Sequence, residues 1–360
     1  MTRYFNSIRY TRLLSCAVLV TFLSIFGLSC SKDDNSAGDP PDNTLTKEEK
    51  KFMFCYNKQD VAESYCTRFL NTTLGSSIQC SQQYQLLCGW QHMAGVQVGT
   101  KQFVFGHNGS STFGDKYWEI YEVHSNGLLG EQTDLGDSYS GAWQRNYETF
   151  FGFHVGTRGF VFGQDSYGDK RWFVHEVTAN GLLASGESDS GNWNNYYASA
   201  TPFYIGSKTY IFFQTDNDEK YWFISSVSPD GKLTDVCDGY WGNFWDAVTA
   251  VESGGTTYLI GHRRVNDNYY VGEYFIQAIN SNGTMGAETD RGRWKYHYHI
   301  LSGYRYAGQA YVFGHNTMED GVGGGLWFIQ EITSAGKLGT ETSHGTMDGD
   351  DSFFFPFNME

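Results

Sequence analysis

The chain has 360 residues, which is long enough for one large domain or two ordinary ones. Its 43 glycines, 17% aromatic residues and only 18% charged residues favour many short strands joined by tight turns. The net charge of −15 argues against a nucleic-acid partner and is typical of a soluble surface.

The first thirty residues are typical of a secretory signal. Three arginines precede an apolar run over residues 13–28, which is too short for a convincing membrane span. The run ends in GLSC at 27–30, which is similar to a bacterial lipobox, although its leucine lies one place nearer the cysteine than usual. We therefore expect residues 1–29 to be a lipoprotein signal peptide and Cys30 to be lipidated, with ordinary signal cleavage as the alternative.

A polar segment, SKDDNSAGDPPDNTLT, follows over residues 31–46. It has too little apolar content to fold, so residues 30–46 are predicted to be the lipidated cysteine and a flexible tether. The SKDD at its start is similar to the acidic export tag of some Gram-negative surface lipoproteins. The expected location is the outer membrane, with a lipid anchor at Cys30 and the chain exposed at the cell surface.

A unit of about 50 residues recurs after the tether. Its tryptophans at 90, 143, 193, 241 and 294 are 48 to 53 residues apart. Each copy contains four short alternating segments, and most copies have Asn-Gly or Asp-Gly between the third and the fourth, which fits a type I′ hairpin. The pentapeptide VFGHN, at 104–108 and 312–316, ends the second segment in two copies.

Four antiparallel strands per copy predict an all-β fold, a β-propeller of four-stranded blades over residues 47–360. Full copies cover about 90–142, 143–192, 193–243, 244–293 and 294–350. Residues 47–89 and 351–360 align with the remaining strands of one composite blade. Six blades are therefore expected, with five or seven as alternatives, and pairing of the N- and C-terminal segments would remove the open sheet edges.

Four cysteines, Cys55, Cys66, Cys80 and Cys88, lie in the predicted composite blade. In an exported protein such a cluster indicates disulfides, for which three connectivities are possible. Closeness in sequence favours Cys55–Cys66 and Cys80–Cys88. Zinc is disfavoured because no histidine lies at ligand spacing among them, so no metal is predicted. Cys237 is predicted to be a buried free thiol.

Two repeated positions are candidates for ligand binding. Aromatic pairs at the blade junctions could stack on sugar rings or wedge adjacent blades together; they are Trp143 with Tyr147, Trp193 with Tyr197, Trp241 with Trp245, and Trp294 with Tyr298. A polar residue ends each second strand and could bind hydroxyl groups or hold a turn; these residues are His107, Gln164, Gln214, His262 and His315.

Catalysis has little support in the sequence. No pair of carboxylates stands out for glycoside hydrolysis, and no serine nucleophile or phosphate loop is evident. No cofactor and no catalytic residue are therefore predicted, and an enzyme is the less favoured class.

The blade period occurs together with a G-x-W element at 191–193 and a Y-x-F-G element at 311–314. This combination resembles the repeat-propeller lectins, of the tachylectin-like and related bacterial kind, over roughly residues 50–360. The resemblance implies a non-catalytic carbohydrate-binding lipoprotein whose partner is a glycan. The alternative is a protein-interaction scaffold of an outer-membrane complex, which would bind a surface protein. A propeller enzyme acting on glycosides comes third.

Overall fold

The computed structural model describes residues 50–57, 64–81, 90, 92–108, 117–137, 147–165, 168–215, 220–265, 268–316, 325–347 and 351–359. The predicted signal peptide, Cys30 and the tether lie outside these residues. Within the described ranges, no helix is long and apolar enough to cross a membrane.

The described residues form 24 strands in six four-stranded antiparallel sheets. The first sheet contains β1 (Lys50–Asn57), β2 (Ser64–Leu70), β3 (Leu74–Ser81) and β24 (Asp351–Met359); the second contains β4 (His92–Val98), β5 (Lys101–Asn108), β6 (Tyr117–Val123) and β7 (Leu129–Asp137); the third contains β8 (Tyr147–Val155), β9 (Arg158–Asp165), β10 (Arg171–Val177) and β11 (Leu183–Asn192). The fourth contains β12 (Ser199–Ile205), β13 (Lys208–Gln214), β14 (Tyr221–Val227) and β15 (Leu233–Tyr240); the fifth contains β16 (Ala247–Ser253), β17 (Thr256–Val265), β18 (Asn268–Ile279) and β19 (Met285–Trp294); the sixth contains β20 (Ile300–Tyr306), β21 (Gln309–His315), β22 (Leu326–Ile332) and β23 (Leu338–Thr346).

These sheets are the blades of a β-propeller, which confirms the predicted all-β architecture of four-stranded blades. Five of the sheets are each built from four consecutive strands. In the remaining sheet the order is β24-β1-β2-β3, and the β24–β1 register runs from Lys50 opposite Met359 to Asn57 opposite Asp351. The first strands of the sheets contact one another in the order β4, β8, β12, β16, β20 and β24, and β24 contacts β4. Both chain termini therefore contribute to one blade.

The hydrophobic core lies between adjacent blades. The second strand of a blade is buried on both faces because it lies between two neighbouring sheets, as in β13 (KTYIFFQ), where only the first residue is exposed. Phe160 and Phe162 of β9, for example, share a cluster with Phe213 of β13 in the next blade. The fourth strands, such as β15 (LTDVCDGY), alternate between exposed and half-buried residues, since they form the outer edge.

In four of the third-to-fourth-strand hairpins, a glycine packs against the preceding blade. Gly283 has φ +84°, and a Cβ atom there would lie 2.2 Å from a ring carbon of Tyr210. Gly181, Gly231 and Gly336 also have positive φ and would meet Phe103, Phe160 and Tyr258 in the same way. The Asn-Gly and Asp-Gly turns therefore also hold neighbouring blades together.

We expect Gly283→Ala to destabilise the fold more than Gly156→Ala, and urea unfolding of the two variants measures the difference. Both glycines have positive φ, which costs alanine about 1–2 kcal/mol. A Cβ at 156 would meet nothing within 4 Å, whereas at 283 overpacking against Tyr210 adds about 1–3 kcal/mol. Equal losses of unfolding free energy would contradict this packing role.

Candidate active site

The two glutamines that end second strands clamp the connection to the next blade. Gln164 Oε1 accepts a hydrogen bond from the backbone N–H of Tyr197 (3.0 Å), and Gln164 Nε2 donates to the carbonyl oxygen of Asn195 (2.9 Å). Gln214 makes the same pair of bonds with the backbone of Trp245 (3.3 Å) and Asn243 (3.1 Å). Both side chains are fully buried, so in this structure they hold a turn.

The three histidines at this position, His107, His262 and His315, are also fully buried. His262 Nδ1 lies 3.0 Å from the carbonyl oxygen and 3.4 Å from the backbone nitrogen of Tyr298, so it contacts the same connection as the glutamines do, although through a different pair of backbone groups. Burial, and secondarily the neighbouring His297, lowers the pKa of His262 to about 3. Burial likewise lowers the pKa of His315 to about 3. These imidazoles are therefore neutral near neutral pH.

Replacing His262 with glutamine is expected to reduce acid sensitivity. Between its folded pKa of about 3 and its ordinary value of 6.5, the unfolded chain binds the extra proton, so stability falls as the pH falls through this window. The loss is at most about 1.4 kcal/mol per pH unit. Glutamine is the residue that two other blades use here, so the clamp should persist.

Thermal melts at about pH 7 and about pH 5 check this expectation. The drop in Tm between the two pH values should be smaller in His262→Gln than in the wild type. His344→Gln, at an exposed side chain on β23, is the control and should show the wild-type drop. An unchanged acid loss in His262→Gln would contradict the assignment.

The aromatic pairs lie between blades. Tyr147, Tyr197, Trp245 and Tyr298 are each at most 7% exposed. Each contacts a phenylalanine in the third strand of the sheet that its own segment begins, with ring centroids 4.5 to 4.9 Å apart, and each shares a hydrophobic cluster with residues of the preceding blade. Trp294 is buried, whereas Trp193 and Trp241 are half-buried, and Trp143 lies outside the described residues. Blade packing is the role that these contacts show, and ligand binding at these positions stays a prediction.

The cysteine predictions are tested only in part. The backbone register places Cys55 opposite Cys66 and Cys66 opposite Cys80. The side chains of these three residues, and all of Cys88, lie outside the described part of the structure, so the disulfides stay a prediction. Cys237 is free, as predicted, but half-buried rather than buried, and burial raises the pKa of its thiol.

The blade junction with the sequence KYHYH, over residues 295–299, differs from the two junctions before it. His297 stands where the two preceding junctions have Tyr196 and Phe244. It therefore places an imidazole at a position that carries an aromatic ring in those copies. The alignment of the internal repeats singled out Trp294 and Tyr298, which flank His297, but not His297 itself. The replacement of an aromatic residue by histidine at this position could have identified it.

His297 pairs with a carboxylate of the adjacent blade. Its Nε2 lies 3.0 Å from Oδ2 of Asp246, and the same oxygen accepts a hydrogen bond from the backbone N–H of Arg264 (2.8 Å). Burial opposes ionisation of Asp246, but the hydrogen bonds from His297 and Arg264 outweigh it and hold its pKa below the ordinary value. Asp246 is therefore an anion whose side chain is 35% exposed.

The histidine itself is enclosed. Its side chain is 4% exposed and lies between His262, at a centroid distance of 5.2 Å, and His299, at 4.6 Å. Nδ1 of His297 has no hydrogen-bond partner among the described residues. If Nε2 donates to Asp246, this Nδ1 carries the lone pair and can accept a proton, although the atom itself is buried in this structure.

The Asp246–His297 pair lies at one end of the propeller. Asp246 directly precedes β16, and His299 directly precedes β20, two first strands that contact each other. The first strands of all six sheets line an axial cavity of about 860 Å³. We call the end of this cavity next to Asp246 and His299 the rim. No group of three metal-ligating side chains that could hold a metal ion was found among the residues described.

No family model and no curated protein matches this chain. Among solved structures it resembles the periplasmic gluconolactonase of Pseudomonas aeruginosa (9% identity, 86% of this chain, 100% of that chain, TM-score 0.52) and a putative 6-phosphogluconolactonase from Bacteroides uniformis (11%, 86%, 100%, 0.52). It also resembles an exo-β-1,3-galactanase from Clostridium thermocellum (12%, 74%, 64%, 0.51). At these identities the likeness shows the propeller fold.

The comparison corrects the prediction of a non-catalytic lectin. The similar propellers are a lactonase, a putative lactonase and a galactanase, and none of these three is a lectin. The sequence elements that suggested lectins, G-x-W and Y-x-F-G, belong to strands that pack blades together. They therefore indicate the architecture and not the activity.

Proposed function

We propose that this chain is a propeller hydrolase that cleaves an ester bond in a carbohydrate-derived substrate, such as the internal ester of a sugar lactone. The observation that carries the proposal is the Asp246–His297 pair, in which an imidazole stands where the two preceding junctions have Tyr196 and Phe244. The lactonase names of two similar propellers support the same chemistry.

The chain's own groups account for the proton transfers. In the proposed step the junction opens enough for a water molecule to reach Nδ1 of His297, which is buried in this structure; Nδ1 takes a proton from this water, and the water oxygen forms the new bond to the ester carbonyl carbon. Asp246 holds the Nε2–H tautomer and stabilises the imidazolium that forms. When the carbonyl–alkoxy bond breaks, the alkoxide receives the proton from Nδ1, and the products are an acid and an alcohol.

Ester hydrolysis fits the described residues better than glycoside hydrolysis does. Glycosidases use two carboxyl groups about 5 to 9.5 Å apart on either side of the bond. The described residues that line the cavity include one carboxylate, that of Glu252. It forms an ion pair of 2.6 Å with Arg305, and no second carboxylate among these described residues faces it there. Asp246 at the rim is bound to His297. One imidazole–carboxylate pair serves ester chemistry without a second acid.

Export and lipid anchoring at Cys30 belong to the same proposal, and the GLSC sequence with its preceding apolar run supports them. The outer-membrane, surface-exposed location is tested by fractionation of cells that express the wild type or Cys30→Ser. Retention of the variant in the membrane fraction would contradict lipidation at this residue.

A pH-stat assay of the full chain tests the activity. Glucono-δ-lactone and 6-O-acetyl-glucose should release acid faster than they do spontaneously, and aryl glycosides should not be cleaved. Cleavage of glycosides alone would replace the proposal with glycosidase activity. No turnover of any substrate, together with one stoichiometric protein partner, would favour the scaffold alternative.

A further inference from the structure

The axial cavity has a graded lining. Alternate residues of the first strands that line it fall into three tiers from the rim downward. The upper tier is apolar and consists of Met93, Phe150, Ala200, Val248 and Leu301; the middle tier is small and consists of Gly95, Gly152, Pro202, Ala250 and Gly303; the lower tier is polar and contains Tyr204, Glu252 and Arg305. Pro356 of β24 also lines the cavity.

Several backbone groups on the inner strands are satisfied by side chains of adjoining blades. Thr249 Oγ1 accepts from the N–H of Gly303 (2.8 Å), and the hydroxyl of Tyr204 accepts from the N–H of His154 (3.3 Å). The carbonyl oxygen of His154 accepts from Thr209 Oγ1 (2.7 Å). These bonds reduce the polarity that inner strand edges would otherwise present to the cavity.

Charge is also absent from the upper part of the lining. Among the described cavity-lining residues the charged side chains are Glu252 and Arg305, which neutralise each other in the lower tier. A bare sugar beside the upper tier would place hydroxyl groups against Phe150 and Leu301, and such groups lose free energy when they lack hydrogen-bond partners. The upper and middle tiers therefore suit an uncharged apolar chain.

We infer that the axial cavity binds the apolar acyl or alkyl chain of a carbohydrate ester, while the ester group lies at the rim beside His297. The inference rests on the proposed hydrolase function and deepens it by naming the substrate class. The cavity volume of about 860 Å³ lies within the range of ligand pockets, roughly 300–1,000 Å³. Val248 and Leu301 follow Asp246 and His299 by two residues, so the apolar tier begins directly below the rim.

Binding without turnover gives the first test. The probe is n-octyl glucoside below its micellar concentration, titrated calorimetrically into the full chain carrying Cys30→Ser. We expect binding with a negative heat-capacity change and no comparable binding of glucose. Ala200→Phe, which fills the upper tier, should weaken binding by about tenfold or more, while Ala179→Phe in an exposed hairpin should not. Equal binding by all three proteins would overturn the inference.

Turnover gives the second test. The wild type should show a kcat/KM for 6-O-octanoyl-glucose about tenfold or more above that for 6-O-acetyl-glucose. Ala200→Phe should lose this preference, because its kcat/KM falls more for the octanoyl ester than for the acetyl ester. If Ala200→Phe does not fold, Ala250→Leu in the middle tier makes the same comparison. If both esters are cleaved at the same kcat/KM and octyl glucoside does not bind, the chain-binding site is overturned, while the hydrolase proposal stands. Octyl-glucoside binding without turnover of any ester supports the cavity site and contradicts the hydrolase.

Discussion

His297→Asn is expected to lower kcat/KM for ester hydrolysis by about 10²- to 10⁴-fold, the usual contribution of a general base. Asparagine cannot accept the proton from water, and its amide reaches only to about the position of the imidazole Nδ1, so the bond from Nε2 to Asp246 is lost as well. Asp246→Asn should also be strongly impaired, because the carboxylate that fixes the imidazole tautomer and balances its positive charge is lost.

The control for this prediction is a second histidine–carboxylate pair. His344 lies 2.7 Å from Glu341 on the outer strand β23, and its side chain is 77% exposed. His344→Asn should retain wild-type kinetics. Thermal melts establish whether His297→Asn is folded at the assay temperature, which separates a catalytic role from a structural one. Full activity in a folded His297→Asn protein would remove this residue from the mechanism.

Ending the chain at Asp350, and so deleting β24, is expected to abolish cooperative folding. The deletion removes the whole ladder between β24 and β1 and exposes the edge of β1. Met53 of β1, which is fully buried in a cluster with Tyr304 and Phe313, would lose the strand that covers its edge. Since total stability is only about 5–15 kcal/mol, a loss on this scale threatens the whole ring.

Soluble yield and a thermal melt of the chain ending at Asp350 check this expectation. A chain ending at Met359 lacks only the residue after β24 and should behave as the wild type does. Equal Tm values and equal yields for the two truncated chains would show that β24 does not support the fold.

The architecture could be predicted because its signals recur. The hairpin glycines, the junction aromatics and the polar residues that end second strands appear in copy after copy, so each copy supports the others. The pairing of the terminal segments also followed from the sequence, because Lys51–Asn57 aligns with the second strand of the next copy. Repetition revealed which residues build the blades.

The candidate site could not be found by the same reasoning. His262 and Gln164 were predicted as binding residues because they recur, yet both side chains bind the backbone of the connection to the next blade, as Gln214 also does. The Asp246–His297 pair joins residues 51 apart in sequence on two different junctions, and only the packing of adjacent blades brings them together. A functional group in a repeat protein is more readily found where the pattern breaks.

The proposed function requires the Asp246–His297 pair for ester hydrolysis. The most direct measurement is the initial rate of acid release from 6-O-octanoyl-glucose in a pH-stat, with the wild-type full chain, His297→Asn and His344→Asn compared. Release well above the spontaneous rate in the wild type and in His344→Asn, with loss in His297→Asn, is the predicted result. Equal release by all three proteins, or none above background, would contradict the claim.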